Sequence, residues 1–473
     1  MTANDHDLRL ALTAILGESG VLSGPEAEVY ASDWRGRYRG QAAAVLLPRS
    51  TEEVAQVLRH CHAHSIPVVP QGGRTGLVGG GIPDAGGRAV VISLDRMDRL
   101  RGLDPVAMTL ACDAGMILQV ARGHARDAGL QLPILIGSEG SARIGGVLAT
   151  NAGGSNVLRH GMTRAHVLGI EAVLPDGRVL DTMRPVVKDN TGLALDQLFI
   201  GSEGVLGVIT GAVLQLSPSP RQVMTAFCHV TGIAGALGLL QILRRDLADQ
   251  LTAFEYMDAS ATGMIAEHMP DQAAAVALPA TPTDVLLIEI AASAGAGEIE
   301  EIFQQALVER LEAGDLTEVL IAANESQRTA FWLFREAISF AQNFAGPSIK
   351  MDVSVPVQDI PKLLTEGGAL MRGLSPVARP VCYGHLGDGN IHFNTSPLQP
   401  ADGPALLAAE HRLTESLAAF VEGMGGSFSA EHGIGQAKAD LLAGLRAGPE
   451  LDLMRAIKSA IDPRGIMNPG KML

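Results

Sequence analysis

Between residues 44 and 71 short apolar runs flank one periodic stretch. "AVLLP" and "IPVVPQ" are strand-length, while "TEEVAQVLRHCHAH" spaces its apolar residues three and four apart. This predicts strand, helix, strand, with Thr51 as the helix cap. From there to about residue 218 the pattern is one of brief apolar strands, "AVVISL", "MTLACDAG", "VLGIEAVLPDGRVL" and "GVITGAVLQLSP", separated by glycine-rich loops. From 219 to 425 longer helical and strand patterns alternate, an α+β order. The apolar stretch "TGIAGALGLLQILRRDLADQ" ends in charges and reads as a buried amphipathic helix, not a membrane span. The expected division is an N-terminal helical arm over 1–36, a first domain over 37–218, a second over 219–425 and a C-terminal segment over 426–473. "GSEG" occurs at 137–140 and 201–204 with no periodic repeat around either copy, so two related turns are expected.

Composition narrows the class. A chain of 473 residues exceeds one usual domain, and 47% hydrophobic against 18% charged residues supplies large cores. The net charge of −15 argues against nucleic acid or an anionic membrane as a partner. Cys61, Cys112, Cys228 and Cys382 are scattered with no C-x-x-C, which excludes an iron–sulfur or zinc-ribbon pattern and suggests buried thiols in a reducing, cytoplasmic setting. The acidic N-terminus lacks the apolar run of a signal peptide, and no integral membrane segment is expected.

Three segments carry polar residues in patterned positions. In "YGHLGDGNIHFN" (383–394), Gly387, Asp388, Gly389 and Asn390 are poor helix formers and good turn formers. A hairpin turning there pairs Leu386 with Ile391 and His385 with His392, with opposed Cβ atoms roughly 5 Å apart. Two imidazoles so placed can share a metal at about 2.1 Å each, or form a structural pair on an ordinary hairpin. Asn394 falls on the face of His392. Upstream, "ANESQRTAFWLFREAISFAQN" predicts a helix with a capping box of Asn324 and Gln327, and places Phe331, Arg335 and Ser339 on one stripe. "SIKMDVSVPV" alternates Lys350, Asp352 and Ser354 with apolar residues, a half-exposed strand. By themselves Arg335 and Lys350 read as solvated charges.

The glycine-rich loops point to a cofactor. "PVVPQGGRTGLVGGGIP" follows a strand, but Pro83 and "DAGG" stand where a Rossmann loop must open a helix, and no Walker lysine is present. Glycines still let backbone N–H groups approach an anion. "GSEGSARIGGVLATNAGGS" and "LFIGSEGVLGVIT" add two more close-approach segments, which together suit a long, flat, phosphate-bearing cofactor better than turns alone.

With "GGRTGL", "GGVLATNAGGSNVLRHG", "GSEGVLGVIT", "GHLGDGNIHFN", "SAEHGIG" and "DPRGIMNPGK", the chain from about 40 onward resembles the FAD-binding oxidoreductases of the vanillyl-alcohol oxidase type. Within them it is most similar to the D-2-hydroxyacid dehydrogenases that act on D-2-hydroxyglutarate or D-lactate. The resemblance implies a two-subdomain FAD-binding domain, an α+β cap domain carrying substrate groups, and a C-terminal segment returning to the flavin. It implies pyrophosphate contacts from Gly72, Gly73, Arg74, Thr75 and Gly76, and flavin-lining roles for Ser138, Gly146, Thr150, Asn151, Gly154 and Ile209. Some relatives tether the flavin through a histidine; "QGGRTG" has none, so noncovalent FAD is expected, with His160 the residue that would carry a tether.

The same resemblance implies that Glu431 joins His385 and His392 around a divalent metal, zinc first and Fe²⁺ or Mn²⁺ after it. A three-ligand site keeps open positions and is of the catalytic kind. Neighbouring Glu431 and His432 can serve one site only if the backbone bends, which Gly433 and Gly435 permit. His432 is the expected general base, since an imidazole ordinarily titrates near about 6.5. Arg335, a hydroxyl four residues on (Ser339, where threonine is expected) and Lys350 match the spacing of the dicarboxylate-handling branch, and Asn394 is expected to bond a substrate oxygen. The expected activity is oxidation of D-2-hydroxyglutarate to 2-oxoglutarate, with electrons passed to an electron-transfer flavoprotein or quinone, in a chain that could dimerise. D-lactate or glycolate dehydrogenation is the alternative on the same fold, and a non-catalytic flavin electron-transfer or sensor protein the alternative of another class.

Overall fold

The computed structural model describes residues 3–293 and 296–473, and side chains outside 3–5 and 296. It divides into two compact units. Unit 1 takes residues 1–154, 162–219 and 431–473; unit 2 takes 155–161 and 220–430. The N-terminal helix Ala3–Leu16 belongs to unit 1.

In unit 1 the strand–helix–strand pattern is Ala44–Leu46, Thr51–His64 and Val68–Gln71. The helix cap is Ser50, whose hydroxyl accepts from Glu53 N at 3.2 Å; Thr51 is the first helical residue and donates instead to Glu171 at 2.5 Å. The expected cap was thus one residue late, because either hydroxyl satisfies the sequence rule and only backbone geometry separates them. Both strands pair in parallel with Val90–Ser93, and Val21–Leu22 adds an antiparallel edge. A second, antiparallel sheet runs in the order Leu100–Asp104, Thr109–Asp113, Val208–Gln215, Val167–Val173, Val179–Asp181. One apolar core, containing Leu58, Ile92, Leu110, Leu148 and Ile209, spans these elements. The C-terminal segment is tied to it: Asn468 N donates to Val68 O at 2.7 Å, and Lys458 Nζ to Val205 O at 2.7 Å.

Unit 2 is built on a seven-stranded antiparallel sheet, ordered Leu316–Ile321, Gln222–Val230, Asp284–Ala292, Leu251–Met257, Ala378–Gly384, Asn390–Pro397, Asp352–Ser354. Strand side chains alternate between faces. Phe254, Leu286 and Ile288 accordingly join a core with Leu243 and Phe303, from the helices Ile233–Leu247 and Ala296–Glu312. Phe227, Met257 and Leu287 join one with Phe331, Phe334 and Ile338 of the helix Glu325–Phe344. Central strands buried on both faces explain why "DVLLIEIAA" is nearly continuous in apolar residues. Among the described residues no helix is long and apolar enough to cross a membrane.

Candidate active site

In unit 1 a half-open pocket is lined by Gly72, Gly73, Arg74, Thr75, Gly76, Gly146, Thr150, Ile209 and His432, among others. No helix follows the strand Val68–Gln71; the chain runs from Gly72 to Ala89 without one, as the failed Rossmann context requires. Close approach dictates the glycines here. A Cβ on Gly73 would lie 2.0 Å from Ser141 O, and one on Gly72 3.3 Å from Gly146 Cα. Ser138, Asn151 and Gly154 are not among the lining residues. Ser138 O caps the turn to Ser141 and Ala142, Asn151 Oδ1 accepts from Arg164 N at 2.9 Å, and Gly154 packs against Leu135 O.

The pocket chemistry fits a flavin nucleotide. The Arg74 guanidinium lies 4.6 Å from the centre of the Tyr30 ring and 3.7 Å from Asp95, and Arg143 pairs with Asp95 at 2.8 Å. Two cations sharing one carboxylate leave positive charge for a pyrophosphate. Arg74 Nη1 and the side-chain oxygen Oε1 of Gln71 are buried without a hydrogen-bond partner, and both residues line the pocket. Such atoms cost free energy until a bound molecule satisfies them.

Glu203, in the second "GSEG", lines the same pocket and was missed in the sequence. Only 8% exposed, it accepts from Ile434 N and Gly435 N at 2.7 Å each, just past Glu431 and His432. Burial pushes its carboxyl above the usual carboxylate range, against the lowering effect of the two amides. The backbone turns through Gly433 (φ 79°) and Gly435 (φ 50°), the left-handed bend expected from the two glycines. Glu139 of the first "GSEG" instead pairs with Arg122, so the two copies share a sequence and not a role.

Unit 2 gathers the remaining polar residues on one sheet face, under the helix Glu325–Phe344. Asn324 caps that helix, accepting from Gln327 N at 3.0 Å, while the Gln327 side chain accepts from Ala323 N at 2.8 Å, one residue short of a full capping box. The hairpin register differs from expectation. The strand ends at Gly384, His392 opposes Tyr383, and residues 385–389 form a longer turn closed by Asp388 Oδ1 on Asn390 N at 3.1 Å. Gly384 (φ 142°) and Gly389 (φ 90°) take backbone conformations that a two-strand pairing through His385 would not allow. The two imidazoles nonetheless adjoin, ring centres 5.6 Å apart.

Each imidazole has a carboxylate that sequence reasoning missed. His385 Nδ1 lies 2.5 Å from Glu255 Oε1, and His392 Nδ1 lies 3.5 Å from Asp352 Oδ1. Asp352 is 1% exposed, so the strand read as half-exposed turns its polar side into the protein. Glu255 also pairs with Arg335 at 2.8 Å. Burial alone would raise the Glu255 carboxyl; the charges of His385 and Arg335 outweigh it and hold the group down to about 2. Arg335 in turn lies 4.9 Å from the centre of the Tyr383 ring, and that ring 5.1 Å from His392. The Tyr383 hydroxyl bonds Ser339 and Asn394 at 3.2 Å each, and the carbonyl of Gln342 accepts from Asn394 at 3.0 Å and from Lys350. Arg335, Ser339, Lys350, Asn394, His385 and His392 are therefore one network, joined through Glu255, Tyr383 and Gln342. No sequence pattern marked those three, whose partners come together from the helix Glu325–Phe344, the hairpin and the strands beside it.

Comparisons with known proteins bear on the family and the fold. A family model described as "FAD linked oxidases, C-terminal domain" matches residues 219–472, and one described as "FAD binding domain" matches 42–183. The mitochondrial D-2-hydroxyglutarate dehydrogenase of Bos taurus is 38% identical over 93% of this chain and 78% of its own length. That of Arabidopsis thaliana is 36% identical over 97% and 80%. The fold is shared with substrate-bound p-cresol methylhydroxylase, with a TM-score of 0.77 at 16% identity, covering 100% of this chain and 97% of that one. On these matches the chain belongs to the FAD-linked oxidase family and is an FAD-dependent oxidoreductase.

Proposed function

We propose that the protein oxidises a D-2-hydroxyacid, D-2-hydroxyglutarate before others, to the 2-oxoacid. The observation that carries this reading is the single, partly buried network holding Arg335, Ser339, Lys350 and Asn394 beside the His385–His392 pair. Two cations near a pair of metal-type ligands suit a substrate with a carboxylate at each end, and relatives named for that dicarboxylate support it.

Oxidation of the alcohol removes a hydroxyl proton and the hydrogen on C2. FAD, when bound, accepts that hydrogen with its two electrons. A divalent metal, zinc first, would be held by His385, His392 and Glu431 and would orient the substrate and lower the hydroxyl pKa. Asp352 and Glu255 would fix the two imidazoles, as carboxylates behind metal-bound histidines do. His432, which lines the flavin pocket, takes the hydroxyl proton. Arg335 and Lys350 hold the carboxylate remote from C2, and the network keeps their geometry before substrate arrives. Electrons then leave to an external acceptor, an electron-transfer flavoprotein or a quinone.

A panel of D-2-hydroxyacids with a dye acceptor tests the proposal. It expects D-2-hydroxyglutarate to give the highest kcat/KM, and Lys350→Ala to lower that value by at least about tenfold while affecting D-lactate less. Equal use of D-lactate and D-2-hydroxyglutarate, with a ratio unmoved by Lys350→Ala, would replace it with a monocarboxylate dehydrogenase.

A further inference from the structure

Gln342 stands on the same helix stripe as Arg335 and Ser339, at i+7 and i+3 from them. It is fully buried. A primary amide has one carbonyl acceptor and two N–H donors. The Gln342 carbonyl accepts from Lys350 Nζ and, at 3.0 Å, from Asn394 Nδ2; its amide nitrogen donates to Ser396 Oγ at 3.2 Å. These partners fix the amide's orientation, since the reverse would set its NH₂ against an ammonium and a second NH₂. Asn394 is fixed in turn: its carbonyl accepts from Met351 N at 3.2 Å and its other N–H meets the Tyr383 hydroxyl at 3.2 Å.

We propose that Gln342 is a specificity-determining positioning residue, holding Lys350 by a neutral acceptor so that the ammonium meets the second carboxylate of a dicarboxylic 2-hydroxyacid. The inference rests on the dicarboxylate reading above and adds the reason for an amide at this position. Lysine is a point charge on a flexible stem, so its aim must come from its neighbours. An apolar side chain would leave the ammonium without this guide. A carboxylate would bind it as an internal ion pair and repel the substrate's own carboxylate. A neutral carbonyl does neither: it orders the cation and adds no negative charge beside the substrate's carboxylate.

The test compares wild type, Gln342→Met and Gln342→Glu, each with its flavin content checked by absorbance, on D-2-hydroxyglutarate and D-lactate. Gln342→Met should raise KM for D-2-hydroxyglutarate at least about tenfold, leave kcat within about threefold, and change D-lactate kinetics little. Gln342→Glu keeps the shape and an acceptor for Lys350, so it guards against a folding defect in the first variant. It should shift the preference toward D-lactate further still. A structural role would lower both substrates together or reduce flavin content, and either result overturns the inference. A failure of the underlying reading is seen in wild type alone, as an absence of D-2-hydroxyglutarate turnover, whereas a failure of the inference is seen as an unchanged ratio in the variants of an active enzyme.

Discussion

Glu255 is a buried carboxylate whose charge is held by His385 and Arg335. Its folded pKa is depressed, so the stability it contributes is present above its unfolded value near 4.5 and is lost as pH falls toward about 2. Glu255→Gln should remove that acid dependence. It should also cost about 3–5 kcal/mol at neutral pH, because it breaks a buried pair with Arg335. Denaturant midpoints measured between pH 7 and 3 check both. The same change should weaken the proposed metal site about 10–100-fold, read as metal retained after dialysis. The cysteines illustrate the opposite case. All four are buried and unpaired, and burial pushes the Cys61 and Cys112 thiols up to about 12 and raises the other two well above the ordinary thiol range. A thiol reagent at pH 8 should therefore find none in the native protein and four after denaturation; rapid native labelling would contradict the burial. At this scale the sequence supplied identities and not partners. His385, His392, Arg335 and Lys350 were legible as chemistry, whereas Glu255, Asp352, Tyr383 and Gln342 acquire meaning only from strand order and from a helix laid across the sheet.

Among the elements, the hairpin shows how local rules reach a correct neighbourhood through a wrong register. The turn residues were legible, but the glycine at 384 ends the strand early, so His392 opposes Tyr383 and His385 enters the loop. Gly389 carries the conformational demand: its φ is 90°, and a Cβ there would lie 2.3 Å from Val355 O. Gly389→Ala should destabilise unit 2 by about 1–3 kcal/mol and lower metal retention, measured by thermal unfolding and elemental analysis; a variant as stable as wild type would contradict the turn geometry. The caps show a similar limit. Ser50 and Thr51 are equivalent in sequence, and the backbone chose the first. The helix Glu325–Phe344 was legible to its cap, Asn324, because its periodicity is long and that residue is unambiguous.

At the scale of the whole molecule, the three glycine-rich segments and the two α+β regions were legible because composition and periodicity change along the chain. Residues 431–473 belong with unit 1, where the resemblance implied a C-terminal segment returning to the flavin; what linear reading lacked is that 155–161 belong with unit 2. The C-terminal segment is held there by Asn468, whose Nδ2 donates to Gly80 O and Glu203 O, partners that no local pattern names. The purified protein should be yellow, and acid precipitation should release its flavin to the supernatant, since the loop at Gly72–Gly76 offers no histidine for a covalent link. Flavin retained in the pellet would point to His160. The central claim, metal-assisted oxidation of a dicarboxylic D-2-hydroxyacid by the bound flavin, is tested most directly by anaerobic mixing of the flavin-loaded protein with D-2-hydroxyglutarate, before and after removal of metal with a chelator. The account predicts rapid loss of the oxidised-flavin absorbance in the metal-replete protein and none in the stripped protein, with flavin still bound. Bleaching that persists in a sample shown to be metal-free, or no bleaching in either, would contradict it.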